Sequence, residues 1–379
     1  MAATAPEDIP EPDRIEGAPH PRETARLFGH DRAESGFLAA FNGGRMHHGW
    51  LVTGPRGLGK ATLCWRLARF LLAAPAEDGG LFGAPPPPET LDTAEDDPLA
   101  RRIRALAEPR LFLLRRPWDD KGARLKQDIT VDEVRKMKSF FTLSAADGGR
   151  RVAIIDSADE MNVSAANALL KLLEEPPPAT TFLLVSHQPH RLLPTIRSRC
   201  RELRLAPLAP PDLAQALAQA GGEVAPDQAA ALAELAGGSV GEAFRLTNLD
   251  GLKLYAALVD LFSTLPRLDR PRALALAERG AGRGAEAQFD LLITLIDLFL
   301  ARLARAAATR QLPPEAAPGE AALITRLSES PDAARAWADI AQTLAQRARR
   351  GKAVNLDPAA LLMDMVLKME ETAGTLAHG

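Results

Sequence analysis

Residues 48–74, HGWLVTGPRGLGKATLCWRLARFLLAA, constrain the fold of this chain more tightly than any other stretch. A short apolar run, Trp50 to Val52, enters a glycine-rich turn. The chain leaves that turn with Leu63, Leu67, Phe70 and Leu71 at helical spacing. Strand, glycine loop and helix in this order let backbone amides close around a phosphate at a helix N-terminus. Further apolar strands alternate with helical patterns up to about residue 207, which predicts a parallel, doubly wound sheet with ligands at its C-terminal strand ends.

Gly54, Gly59 and Lys60 stand at the spacing of a phosphate-binding loop, with Gly57 inside it. The pattern then needs a hydroxyl residue for magnesium, and Ala61 occupies that place. Thr62 lies roughly 100° further round the helix, so it can touch a phosphate but cannot take over that role. Gly54, Gly57, Gly59, Lys60 and Thr62 are therefore the candidate cradle for ATP or ADP, bound weakly or not at all. A glycine-rich turn without a ligand is the alternative.

A second strand, Val152–Ile155, ends in Asp156, where a hydrolysing P-loop enzyme carries its Walker-B acids. The water-polarising carboxylate expected next is replaced by Ser157. Asp159 and Glu160 follow too late for that register and are expected to cap the next turn. The segment TIRSRC, Thr195–Cys200, supplies Arg199. It reads either as a solvated turn or as a guanidinium offered to a neighbouring subunit's γ-phosphate, a task suited to a permanently charged bidentate fork.

A chain of 379 residues predicts two or three domains. Residues 1–20, acidic and Pro-rich without an apolar core, read as a flexible lead-in and not as a signal peptide. Residues 21–207 form the α/β unit, with a helical pattern over Pro21–Gly44 and an exposed Pro-rich insertion near 75–108. Thr130 or Asp132 is expected to cap the helix after DIT, and Ser164 the helix SAANALLKLLEE, which Pro176–Pro178 stop. Beyond Pro210 strand signals vanish, predicting a small helical domain over 208–250 and an all-helical domain over 251–379.

A formal charge of −3 excludes a global basic field for nucleic acid. The cluster Arg347, Arg349, Arg350 and Lys352 reads as a solvated helix end or a local DNA contact. Two cysteines, Cys64 and Cys200, point to a reduced, cytoplasmic protein without a four-ligand zinc site. His187 and His190 read as loop residues and not as metal ligands, so no metal is expected. The run FDLLITLIDLFLARLA is broken by Asp290, Asp297 and Arg302 and falls short of the ~20 apolar residues that span a bilayer.

Taken together, Ser164–Leu205 (SAANALLKLLEEPPPATTFLLVSHQPHRLLPTIRSRCRELRL) behind the glycine loop resembles the clamp-loader branch of the AAA+ ATPases, the delta-prime and gamma/tau subunit families of bacterial DNA polymerase III. The likeness is dense over residues 20–207 and thinner beyond. It implies a P-loop (AAA+) domain with a parallel sheet, then a helical lid, then a helical collar in which Leu292, Leu295, Leu298 and Phe299 pack. It also implies a first-sensor position at Ser186 and a trans arginine finger at Arg199. The motor subunit would carry a hydroxyl at 61, Glu at 157 and a sensor arginine near GGSVGEA, where this chain has Ala61, Ser157 and Gly241. The zinc-module cysteines of many relatives are absent too. These departures imply the delta-prime kind, a subunit that supports a neighbour's hydrolysis without its own and works with gamma/tau and delta to load the sliding clamp on primer-template DNA. The alternatives are a gamma/tau-like ATPase with a variant loop and, less well matched, a small-molecule kinase.

Overall fold

The computed structural model describes residues 11–24, 26–74, 86–94, 97–119, 124–143, 149–282 and 284–378. The chain forms two compact units, Met1–Glu223 with Gly238–Glu242, and Val224–Gly237 with Ala243–Gly379. The segment 208–250 is thus divided between them.

In the first unit β1 (Gly49–Thr53), β2 (Leu111–Leu114), β3 (Arg151–Ile155), β4 (Thr180–Ser186) and β5 (Arg201–Arg204) make one sheet. Its order is β2-β3-β4-β1-β5 and every pairing is parallel. Parallel strands need crossovers, which α2 (Lys60–Ala73), α3 (Pro98–Arg104), α4 (Val131–Leu143), α5 (Val163–Glu174) and the single turn α6 (Pro194–Arg197) serve, with α1 (Asp31–Asn42) preceding β1 and α7 (Pro210–Gln219) following β5. Because successive strand residues point to opposite faces, the central strands feed two cores. Trp50, Val52, Val152, Ile154, Leu183 and Val185 pack against α1 and α2. Leu51, Ala153, Ile155, Phe182 and Leu184 pack against α4 and α5.

Several local expectations shift. The helix expected over Pro21–Gly44 begins only at Asp31, after Gly29 has taken a left-handed φ of 69°. The cap of α5 is Asn162, whose Oδ1 accepts from Ala165 N at 2.9 Å, so Ser164 lies inside the first turn instead. Of the insertion near 75–108, residues 75–85 and 95–96 lie outside the described residues. Residues 98–104 are not an exposed insertion. Asp97 caps α3 through Leu99 N at 2.8 Å, and Leu99 and Ile103 join the core. The lead-in lies outside the described residues over 1–10, while residues 11–20 are tied down rather than free: Asp13 pairs with Arg115 at 2.8 Å and His20 is fully buried.

The second unit is helical. Its elements are α8 (Ala229–Ala236), α9 (Val240–Asn248), which begins in the first unit, α10 (Gly251–Ser263), α11 (Arg270–Arg279), α12 (Glu286–Thr309), α13 (Glu320–Leu327), α14 (Ala333–Ala353) and α15 (Pro358–His378). Leu292, Leu295 and Phe299 of α12 are buried within it, and Leu298 is half-buried. Glu320 is wholly buried where three elements meet, receiving Tyr255 Oη at 2.6 Å, Arg302 Nε at 2.7 Å and Ala316 N at 2.7 Å. A parallel-sheet P-loop core, AAA+-like, followed by a predominantly helical region is the architecture that the resemblance implied.

Candidate functional site

The glycine loop leaves β1 at its C-terminal end and runs into α2. Gly54, Gly57 and Gly59 hold φ values of 140°, 75° and 87°, a region in which L side chains are strained. Gly59 is the left-handed residue just before α2, and its carbonyl accepts the first helical bond from Leu63 N at 2.8 Å. Thr62 sits half-buried in that first turn. Strand register puts Ser186 beside Thr53, and Asp156 follows directly on β3, so the loop, Asp156 and Ser186 share one sheet edge. The residues expected to form a nucleotide site are therefore assembled together.

Their surroundings are built from the same chain. Lys60 is buried, its Nζ donates to the loop's own Pro55 carbonyl, and burial draws its pKa down to about 8 against the pull of Asp159. Asp156 is also buried and is pushed up to about 7, by burial first and then by the Asp13 and Glu160 carboxylates. Ser239 Oγ donates to Arg56 O at 3.0 Å, and Gly241 N donates to Gly57 O at 3.1 Å. A Cβ on Gly57 would run into Ser239 Oγ and stand 2.9 Å from Gly241 Cα. A Cβ on Gly241 would meet Ile15 Cδ1 at 2.8 Å, so the sensor-like position has no room for an arginine in this arrangement.

Neither carboxylate beyond Asp156 is placed as a base. Glu160 is clamped by Arg56 at 3.0 Å and Arg116 at 2.7 Å, and Asp159 Oδ1 accepts from His187 N at 3.0 Å. Ser157 takes a left-handed φ of 57° and lies 3.2 Å from His187 Nε2. Burial, with Lys60 and Arg56 nearby, lowers His187 to about 4 and keeps its ring neutral. Ser186 Oγ is buried and, among the described residues, has no hydrogen-bond partner. The backbone cradle and this orphaned hydroxyl fit a phosphate-type ligand. Ala61, the lysine's internal bond and the turn lying on Gly57 do not fit a magnesium nucleotide.

Arg199 lies elsewhere. It follows α6 and precedes β5, and its carbonyl would stand 3.1 Å from a Cβ on Gly49, the first residue of β1. With β1 and β5 parallel and Trp50 beside Arg201, Arg199 is at the N-terminal edge of the sheet and the glycine loop at the opposite edge. Five residues of strand separate those edges, on the order of 17 Å. The guanidinium is partly exposed and pairs with Glu174 at the end of α5 at 2.9 Å, while Nη1 donates to Thr195 O at 3.1 Å.

Other candidates resolve simply. Burial pushes the Cys200 thiol up to about 12, and Cys64 is likewise raised, so both are inert packing residues. Arg347 pairs with Asp364 at 2.8 Å and Lys352 with Asp290 at 2.6 Å, which ties half of the C-terminal basic cluster to the chain's own acids. Among the described residues no group of three or more His, Cys, Asp or Glu could hold a metal, and no helix is long and apolar enough to cross a membrane. Sequence reasoning missed Asp13, Ile15, Arg115, Ser239 and Glu174. Only the carboxylates of 11–16 and the arginines after β2 carried a signal, as opposite charges about 100 residues apart.

Residues 29–209 match the family model described as DNA polymerase III, delta subunit. The chain is 39% identical over 160 residues to DNA polymerase III subunit delta' of Pseudomonas aeruginosa, covering 42% of this chain and 43% of that protein. It is 34% identical over 215 residues to subunit delta' of Escherichia coli, covering 56% and 58%. To DNA polymerase III subunit gamma/tau of Mycobacterium bovis it is 28% identical over 205 residues, covering 52% and 31%. The chain spans about half the length of the curated delta' relatives it matches. The matches support membership of the clamp-loader subunit family.

Proposed function

From a chain that is delta-prime-like over residues 29–209, we propose a clamp-loader subunit that activates a neighbouring ATPase and does not hydrolyse ATP itself. One observation carries this reading: Arg199 stands at the sheet edge opposite the glycine loop, so it cannot reach its own subunit's cradle and is free to face another chain. In the assembled complex Arg199 leaves Glu174 and places its bidentate donors on the phosphoryl oxygens of the ATP held by an adjacent gamma/tau subunit. There a fixed positive charge offsets the negative charge that builds up as the terminal phosphoryl group is transferred.

The cradle's own residues support the absence of turnover. Ala61 offers no oxygen to magnesium, Ser157 stands where a carboxylate would polarise water, and Gly241 leaves no sensor arginine. Glu160 does not replace the missing base, because two arginines hold both of its oxygens. In this reading residues 208–250 act as the lid and 251–379 as the collar that joins gamma/tau and delta. The sliding clamp and primer-template DNA are then met through the complex.

The test is steady-state ATP hydrolysis by the chain alone and by the complex reconstituted with its gamma/tau, delta, clamp and primed DNA. The isolated chain is expected to show no turnover, and hydrolysis at an ordinary enzyme rate would favour the gamma/tau-like alternative. Arg199→Ala should fold and assemble normally. It should lower stimulated hydrolysis at least about tenfold, since trans arginine fingers contribute about 10³-fold or more at their own site. Undiminished activity in that complex would remove the finger assignment.

A further inference from the structure

We propose that residues 11–20 form a strap that occupies the approach to the glycine loop, so that strap docking and nucleotide binding exclude one another. The inference rests on reading the loop as a phosphate cradle, and it names what this chain puts there instead.

The strap is held at three places. Arg115, one residue beyond β2, reaches Asp13 Oδ1 at 2.8 Å and Glu11 Oε1 at 3.3 Å. In the middle, Ile15 Cδ1 comes within 2.8 Å of where a Cβ on Gly241 would stand, and Gly241 lies directly on Gly57. Ile15, the 239–241 turn and the loop are therefore stacked, with Ser239 Oγ and Gly241 N hydrogen-bonded to loop carbonyls. At its end, His20 is wholly buried, with Nε2 2.9 Å from Asp13 Oδ2 and its ring edge-on to Trp65 of α2 at 6.1 Å. Arg69 of α2 then donates to Arg22 O at 2.9 Å, which fixes the strap's exit.

This arrangement opposes a nucleotide in two ways. Sterically, Ile15 backs the 239–241 turn that lies against Gly57, whose left-handed backbone has the form that phosphate cradles use. Electrostatically, Asp13 and Glu11 take up the Arg115 guanidinium at the sheet edge where Asp156 lies, so that charge is not offered to an incoming phosphate chain. The strap's own carboxylates are matched by Arg115 and Arg22, so its docking satisfies groups that would otherwise be buried alone. Two occupants of one place are linked reciprocally: whatever factor the strap removes from nucleotide affinity, nucleotide removes from strap docking.

The experiment uses the full chain and 2′/3′-N-methylanthraniloyl-ADP, titrated without magnesium, in parent and in the Ile15→Ser/Arg115→Gln double variant, with circular dichroism confirming the fold. A strap docked in about 90% or more of molecules weakens apparent affinity by about tenfold or more, so the variant should bind at least that much more tightly. In the parent, saturating ADP should speed amide hydrogen exchange across residues 11–20. Equal affinity in parent and variant, or ADP binding that leaves exchange at 11–20 unchanged, would overturn the strap. The exchange measurement on the parent decides the matter even if the variant unfolds. Both readouts use the isolated chain, so their failure leaves the role of Arg199 standing, and loss of the Arg199 effect leaves the strap standing.

Discussion

Ala61 is the second residue of α2, at the place where a hydroxyl would reach a magnesium ion beside bound phosphates, and its methyl packs instead against the core between α2 and the sheet. Ser157 and Gly241 repeat this outcome at two other positions. Ser157 spends its hydroxyl on His187, and Gly241 is small because Ile15 and Gly57 approach it from both sides. Repairing one position should not restore an engine. Ala61→Thr, made in the Ile15→Ser/Arg115→Gln background, is expected to make nucleotide binding magnesium-dependent while steady-state hydrolysis stays at background. Titrations with and without magnesium, followed by a phosphate-release assay, check this. Turnover in that variant would show that Ser157 does not block the reaction.

At the scale of elements, the entry to β2 depends on a buried carboxylate. Glu108 receives Arg110 Nε at 2.7 Å and Arg102 Nε at 2.9 Å, joining the end of α3 to the start of the strand. Burial alone would raise its pKa, but the two guanidinium groups outweigh burial and hold it below the ordinary value of 4.5. Its contribution is therefore present above the unfolded-state pKa and is lost as pH falls through the lower folded-state value. Glu108→Gln should be less stable than the parent at pH 7, with the gap closing as the pH is lowered below about 4. Thermal unfolding across that range measures it, and a gap that does not vary with pH would exclude the charge as its cause. The pattern of apolar residues located β1, β3 and α2 correctly, because that signal is written in consecutive residues. Caps were less legible: Asn162 and Ser164 are both good cap residues, and only the backbone angle at Asn162 distinguishes them.

At the scale of the whole molecule, the two compact units carry different kinds of core. The first is a sheet covered on both faces. The second is helical and contains the buried Tyr255–Glu320–Arg302 network. Removing one partner of a buried ion pair leaves the other charge uncompensated, at a cost of about 3–5 kcal/mol. Glu320→Ala is expected to lose that stability within α10, α12 and α13, while amides of β1, β3 and β4 keep their protection. Hydrogen exchange by mass spectrometry separates the outcomes, and uniform loss of protection would show that the units unfold as one. The resemblance carried by Ser164–Leu205 was legible as a run of letters, as were the missing hydroxyl at 61 and carboxylate at 157. Local order and local chemistry belong to neighbouring residues, so the sequence by itself determined a strand, a glycine-rich loop and a helix in that order, the missing hydroxyl at 61 and carboxylate at 157, and an arginine after a short turn. Only the tertiary structure decided that Arg199 stands at the sheet edge opposite that loop, that Asp13 pairs with Arg115 and that Ile15 lies against Gly241. Those placements depend on which strands pair in parallel and on charges about 100 residues apart finding each other, and no local pattern specifies either.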